Sequence, residues 1–194
     1  VSFPLARLGL YLVLLLAGGQ ALAQPAVFRG LHLQDHRLQN VTSRALAGQP
    51  LLLNFVFAGC TTVCPVQLQA LQQLREALPP ATRAQLQFVS VTVDPLSDTP
   101  QALARFARAR GLDLPGWRFV SGPPAQVHTL LDRMQVFGPA AARGPNAAPP
   151  EPADHRSAVY LFSADGQLLQ RFRGSPIDQA RLLADIQTLI RVQP

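Results

Sequence analysis

The chain reads as an α/β protein with a central mixed β-sheet and helices on both faces. Three observations lead there. Residues 51–57 and 87–93 are strand-length apolar runs, each followed by a segment with helical spacing of its leucines or phenylalanines. Two later runs, 158–162 and 168–172, flank Asp165-Gly166, a turn dipeptide that folds neighbouring strands antiparallel, so the sheet is not wholly parallel. Along the chain the patterns alternate as β-α-β-α-β-α-β-β-α, the order of a sheet covered on both sides.

Residues 31–38 alternate imperfectly and form a short hairpin with Asp35-His36 at its turn. The run 51–57 is bounded by Gly48-Gln49-Pro50 and Gly59, as a strand buried on both faces is. A helix follows from Pro65: Leu68, Leu71, Leu74 and Leu78 recur at steps of three and four, and Pro79-Pro80 ends it. The strand 87–93 stops at Asp94-Pro95. Asp98 or Thr99 caps the next helix, with Pro100 in its first turn, Leu103, Phe106 and Ala107 inward, and Gly111 past its end. A short strand at 117–120 precedes a helix marked by Val127, Leu130, Leu131 and Met134. Ser175-Pro176-Ile177-Asp178 caps a last helix carrying Leu182, Leu183, Ile186 and Ile190.

Residues 1–23 read as an export signal. Arg7 precedes a leucine-rich run, and Ala21-Leu22-Ala23 is a small-x-small cleavage site, so cleavage is expected between Ala23 and Gln24, leaving one domain at 24–194. The alternative is an uncleaved anchor, because residues 5–23 approach the roughly 20 residues a helix needs to span a bilayer. No cysteine near the junction offers a site for a lipid. The protein is therefore expected to be exported: periplasmic, or tethered to the inner membrane facing the periplasm. All seventeen basic residues are arginine and the formal charge is +6. The arginines are scattered rather than massed, which speaks against a nucleic-acid partner and leaves a weak positive field that could steer an acidic protein.

Cys60 and Cys64 are the only thiols, placed at a strand-to-helix corner within Gly59-Cys60-Thr61-Thr62-Val63-Cys64-Pro65. Outside the cytosol such a pair can be held as a disulfide. A helix N-terminus also favours thiolate, which serves redox chemistry and metal binding alike. The three-residue gap departs from the two-residue gap of dithiol redox motifs and sets the sulfurs one helical turn apart, where they can converge on a metal. A structural disulfide closing so short a loop constrains the unfolded chain little.

A third ligand must come from elsewhere. From Gly138 to Pro152, twelve of fifteen residues are Gly, Pro or Ala, a long surface loop, and Asp154-His155 lies between it and a core strand. His155 is the best candidate. Two thiolates with one imidazole suit copper as Cu(I) or Cu(II). Structural zinc wants a fourth protein ligand that is not evident. Asp154 or Asp94 is expected to hydrogen-bond the imidazole or stand behind the ligands. His128 reads as a surface residue, and His32 and His36, within the hairpin, as non-ligands. Asp94 and Asp98 read as turn and capping residues, and Trp117 as core.

Cys60-x-x-x-Cys64-Pro65, then Val91-Thr92-Val93-Asp94-Pro95 with Asp98-Thr99-Pro100, then Asp154-His155 shortly before Tyr160-Leu161 and Asp165-Gly166, together resemble the Sco/SenC copper-binding proteins. The resemblance covers nearly all of 28–191. It implies a thioredoxin-like fold, copper held by Cys60, Cys64 and His155, and assembly of the dinuclear copper centre of cytochrome c oxidase. The copper-bearing oxidase subunit would be the partner, with a periplasmic copper donor and a thiol reductant upstream. Two features depart from the family: its members are commonly membrane-tethered, and the stretch before His155 is unusually rich in Ala and Pro. The reading is a metallochaperone rather than an enzyme. The alternative is a thiol–disulfide oxidoreductase, with Cys60 and Cys64 as its redox pair, that keeps the oxidase's copper-site cysteines reduced.

Overall fold

The computed structural model describes residues 24–138, 150–174 and 176–192. The leader at 1–23, most of the Ala/Pro-rich loop and Ser175 lie outside the described residues. Among those described, no helix is long and apolar enough to cross a membrane.

Seven strands form one sheet: β1 (Leu33–Asp35), β2 (Asn40–Val41), β3 (Leu51–Val56), β4 (Gln87–Thr92), β5 (Trp117–Ser121), β6 (Ala158–Phe162) and β7 (Leu168–Arg173). Their order across the sheet is β2-β1-β5-β4-β3-β6-β7. The three central strands β3, β4 and β5 run parallel, and the strands flanking them run antiparallel. The sheet is thus mixed, as expected. The first hairpin turns through 36–39 with Leu38 at φ 62°, and Gly166 at φ 79° closes the last one.

The helices are α1 (Val63–Ala77), α2 (Pro80–Ala84), α3 (Pro100–Ala109), α4 (Pro124–Arg133) and α5 (Gln179–Val192). α1, α3 and α5 cover one face: Leu68, Leu71, Phe106, Leu182 and Ile186 pack with Leu52, Val56, Phe88 and Phe119 of the strands. α4 and the short turn at Ala26–Phe28 cover the other, where Val127, Leu130 and Phe28 meet Leu53, Phe55, Val89 and Tyr160. Alternation along β3 explains the split, since successive side chains point to opposite faces. Every residue of β3, β4 and β6 is buried, which is why these strands read as continuous apolar runs.

Three local differences from the sequence reading have physical causes. α1 begins at Val63, two residues before Pro65, because a proline is tolerated anywhere in the first turn. Pro79-Pro80 ends α1 but also starts α2, with Pro80 at the first helical position, where its fixed φ suits a helix. Thr99, not Asp98, caps α3: the amide of Ala102 donates to Thr99 Oγ1 at 3.2 Å. Gly111, at φ 66°, follows the end of α3 as the sequence suggested.

Candidate metal centre

Topology makes the site. β3 ends at Val56 and leads through 57–62 into α1, so both cysteines sit at the carboxyl end of a central parallel strand. β6 lies antiparallel beside β3, with Asn54 opposite Val159, so the chain entering β6 arrives at that same end. His155 is three residues before β6 and therefore faces the corner that carries the thiols.

Both thiols are free and both are buried. The amide of Cys64 donates to Cys60 Sγ at 3.3 Å. Thr62, the N-cap residue of α1, makes no capping bond through its own side chain. The Cys60 sulfur therefore takes the place of the usual capping oxygen at the helix start. Burial raises the Cys60 thiol, but hydrogen bonds from the Cys64 thiol and from the amides of Cys64, Thr62 and Val63 outweigh it, leaving it below its ordinary value. Cys64 behaves oppositely. Burial, donation to Cys60 and the nearby charges of Cys60 and Asp98 push it up to about 12, against a single favourable backbone bond from Phe57. A helix start favouring both thiolates alike is corrected here: the first turn serves Cys60, and burial governs Cys64.

The imidazole is held in a defined tautomer. His155 Nδ1 lies 2.7 Å from the carbonyl oxygen of Pro152, which can only accept, so Nδ1 carries the proton and the Nε2 lone pair is free for a ligand. Neither Asp154 nor Asp94 makes that bond. Asp154 is exposed, and Asp94 takes the amide of Ser97 at 3.3 Å, as a turn residue does. The carbonyl wins because Pro152–Asp154 forms a single 3-10 turn that brings it back under the ring. The Phe57 ring meets the imidazole edge-on, with centroids 6.0 Å apart.

A cleft of about 300 Å³ has Phe57, Cys60, Thr62, Val63, His155 and Ser157 in its walls. Cys60 and His155 thus share one cavity, and Cys64 lies behind Cys60. Among the described residues, no group of three or more His, Cys, Asp or Glu side chains stands close enough to hold a metal ion. The donors are of the right kind for a soft ion, two sulfurs and one open imidazole nitrogen.

Asp98, read from the sequence as a capping residue, does something else. It is 2 % exposed, and its Oδ2 accepts from the Ala58 amide at 3.0 Å and from the Thr92 hydroxyl at 2.7 Å. It therefore ties the loop before Cys60 to the end of β4. The signal was its place four residues after Asp94 beyond a strand end, but sequence does not show which amide it would meet. His36 is a structural residue. Its Nδ1 accepts from the Phe119 amide at 3.1 Å, so Nε2 carries the proton and donates to Asp113 at 3.0 Å. His128 is exposed on α4, and Trp117 is fully buried.

A family model for SCO1/SenC matches residues 20–191. The chain belongs to the SCO1/SenC family. A curated SCO1/SenC relative, the SCO1 protein homolog of Bacillus subtilis (strain 168), is 27% identical over 187 residues, 92% of either chain. A solved structure of Bradyrhizobium japonicum ScoI with copper bound matches with a TM-score of 0.64 at 23% identity, covering 81% of this chain and 96% of that one. BsSco, described as a cytochrome c oxidase assembly protein with a disulfide switch, matches with a TM-score of 0.68 at 21% identity, over 89% of this chain and 96% of its own. The thioredoxin-like fold expected from the SCO1/SenC resemblance is the fold found.

Proposed function

We propose that this protein is a copper metallochaperone. It takes one copper ion as cargo on Cys60, Cys64 and His155 and delivers it to the dinuclear copper centre of cytochrome c oxidase. The observation that carries the reading is the shared cleft: the Cys60 sulfur and an imidazole with its Nε2 lone pair free face one cavity at the strand end, with the second sulfur directly behind. Family membership supports it, as does the copper bound in the Bradyrhizobium japonicum relative. Soft sulfur favours Cu(I), and the imidazole extends the site to Cu(II). The protein works after export, in the periplasm or tethered at the inner membrane, as the leader sequence suggests.

Copper titration of the reduced protein tests this. One equivalent should bind, with a sulfur-to-Cu(II) charge-transfer band. Mixing the loaded protein with the copper-free, reduced copper-bearing domain of the oxidase should move the ion across. A loaded protein that keeps its copper through that mixing contradicts the delivery role.

The unequal thiols favour a second reading, a reductase for the oxidase's copper-site cysteines. The Cys60 thiolate attacks a partner disulfide, forming a mixed disulfide and releasing one partner thiolate. Cys64, on losing its proton, attacks Cys60 Sγ and releases the second partner thiolate. The partner gains two electrons and this chain is left with a Cys60–Cys64 disulfide, to be reduced by an external dithiol. Preserved function in cells for His155→Ala, with loss for either cysteine variant, would select this reading.

A further inference from the structure

A polar relay crosses the otherwise apolar core between the sheet and α1. Trp117 Nε1 donates to Ser90 Oγ at 3.0 Å, and Ser90 Oγ donates to Asn54 Oδ1 at 2.7 Å. Asn54 Nδ2 donates to Gln67 Oε1 at 3.1 Å, and Gln67 Nε2 donates to Ser157 Oγ at 2.9 Å. Donation runs one way, from β5 through β4 and β3 to α1 and out to the residue before β6. Trp117, Ser90, Asn54 and Gln67 are all at most 2 % exposed. Buried amides are costly unless paired, and apolar side chains would fill these positions more cheaply. A fully connected network instead adds rigidity and a single defined arrangement.

What the relay makes rigid is set by its outer end. Gln67 stands three residues after Cys64 on α1. Ser157 stands two residues after His155 and forms part of the same cleft wall as Cys60 and His155. The backbone ties this segment as well, through the Arg156 amide to the Val136 carbonyl at 2.9 Å and the Gly174 amide to the Ser157 carbonyl at 3.4 Å. The inner end, Trp117, is fixed by stacking on Phe119 with ring centroids 5.8 Å apart.

We propose that Gln67, oriented by Asn54, is a positioning residue for the third copper ligand: its bond to Ser157 fixes the stem of His155 against the helix that carries Cys64. The consequence for copper rests on the metallochaperone reading; the mechanical part does not. Cu(I) is satisfied by the two sulfurs, whereas Cu(II) draws on the imidazole, so the two oxidation states respond differently to a loosened stem.

Gln67→Leu, Gln67→Glu and Ser157→Ala test this beside His155→Ala. Gln67→Leu should weaken Cu(II) binding about tenfold or more, the loss typical of a residue that orients a ligand, and leave Cu(I) affinity unchanged. Its Cu(II) absorption and paramagnetic resonance should move toward those of His155→Ala. Gln67→Glu should restore them, because a carboxyl oxygen still accepts from Asn54 and can accept the Ser157 hydroxyl in turn. In the metal-free protein, hydrogen exchange at amides 156–158 should quicken in Gln67→Leu and in Ser157→Ala, with β3 and β4 unchanged. Ser157→Ala alters only the outer end and carries the test if Gln67→Leu does not fold. Unchanged Cu(II) spectra, equal losses for both oxidation states, or unchanged exchange at 156–158 overturn the proposal. A wild-type protein that binds no copper overturns the metallochaperone reading instead, and the exchange data still decide whether the relay holds the stem.

Discussion

Cys60 and Cys64 differ more than their spacing suggests. One sulfur accepts the amides of a helix start, and the other is a buried donor pushed up to about 12. Alkylation of the reduced protein near neutral pH, mapped by mass spectrometry, should label Cys60 first, and equal labelling would contradict the asymmetry. Spacing announced the pair but not the difference, which depends on a sulfur taking the capping position that Thr62 leaves open. The same limit applies to His155. Its candidacy was legible from its place before a core strand, yet the Pro152 carbonyl that fixes its tautomer belongs to a 3-10 turn that proline and alanine do not announce. Asp98 offers a second residue-scale prediction. Asp98→Ala strands the Thr92 hydroxyl and the Ala58 amide and should cost about 1–3 kcal/mol in denaturant unfolding. Asp98→Asn, which keeps an acceptor, should cost less. Burial raises the Asp98 carboxyl above 3.8, opposed by the bonds from Thr92 and Ala58. A raised folded value means that the folded state holds the proton more tightly than the unfolded chain. Its stabilising contribution is complete below the unfolded value near 3.8 and fades as pH rises through the folded value. Asp98→Asn has no such proton to lose, so relative to wild type it should gain stability as pH rises from about 4. A pH-independent difference would show that Asp98 does not titrate as described.

At the scale of elements, leucine spacing marked α1 because its inward stripe is regular, and Leu71 sits in that stripe with 1 % exposure. Leu71→Ala should destabilise the fold by about 2–5 kcal/mol, measured by urea unfolding, since the cavity it leaves is ringed by packed side chains. A loss well under that range would mean that α1 and α5 collapse into the gap. Strand identity was plain for β3, β4 and β6 because burial on both faces leaves an unbroken apolar run. α2 was hidden, because a double proline signals a stop and a start with the same residues. Asn54 and Ser90 are polar residues inside the runs of β3 and β4. Their meaning emerges only when α1 lays Gln67 over them.

Across the whole molecule, chain order alone did not reveal that β6 lies beside β3 rather than beside β5. That pairing is what delivers His155 to the thiols. The alternation of strand and helix, the late hairpin and the cysteine corner were all legible because each has a local cause. The meeting of His155 with Cys60 in one cleft is long-range: position before a core strand made His155 a candidate, and the pairing of β6 with β3 is what places it there. Binding of an ion to the folded state alone should stabilise the whole domain, by about 2.7 kcal/mol at a free concentration one hundred times the dissociation constant. Thermal unfolding of the reduced protein with and without copper checks this, and no shift would mean that the ion does not engage the folded site.

X-ray absorption at the copper edge tests the central claim most directly, recorded on the loaded protein and on its His155→Ala variant. The account predicts two sulfur scatterers and one imidazole nitrogen in the wild-type Cu(II) form, with the imidazole scattering lost in the variant. Copper without two sulfur neighbours, or an imidazole signal that survives the loss of His155, would contradict it.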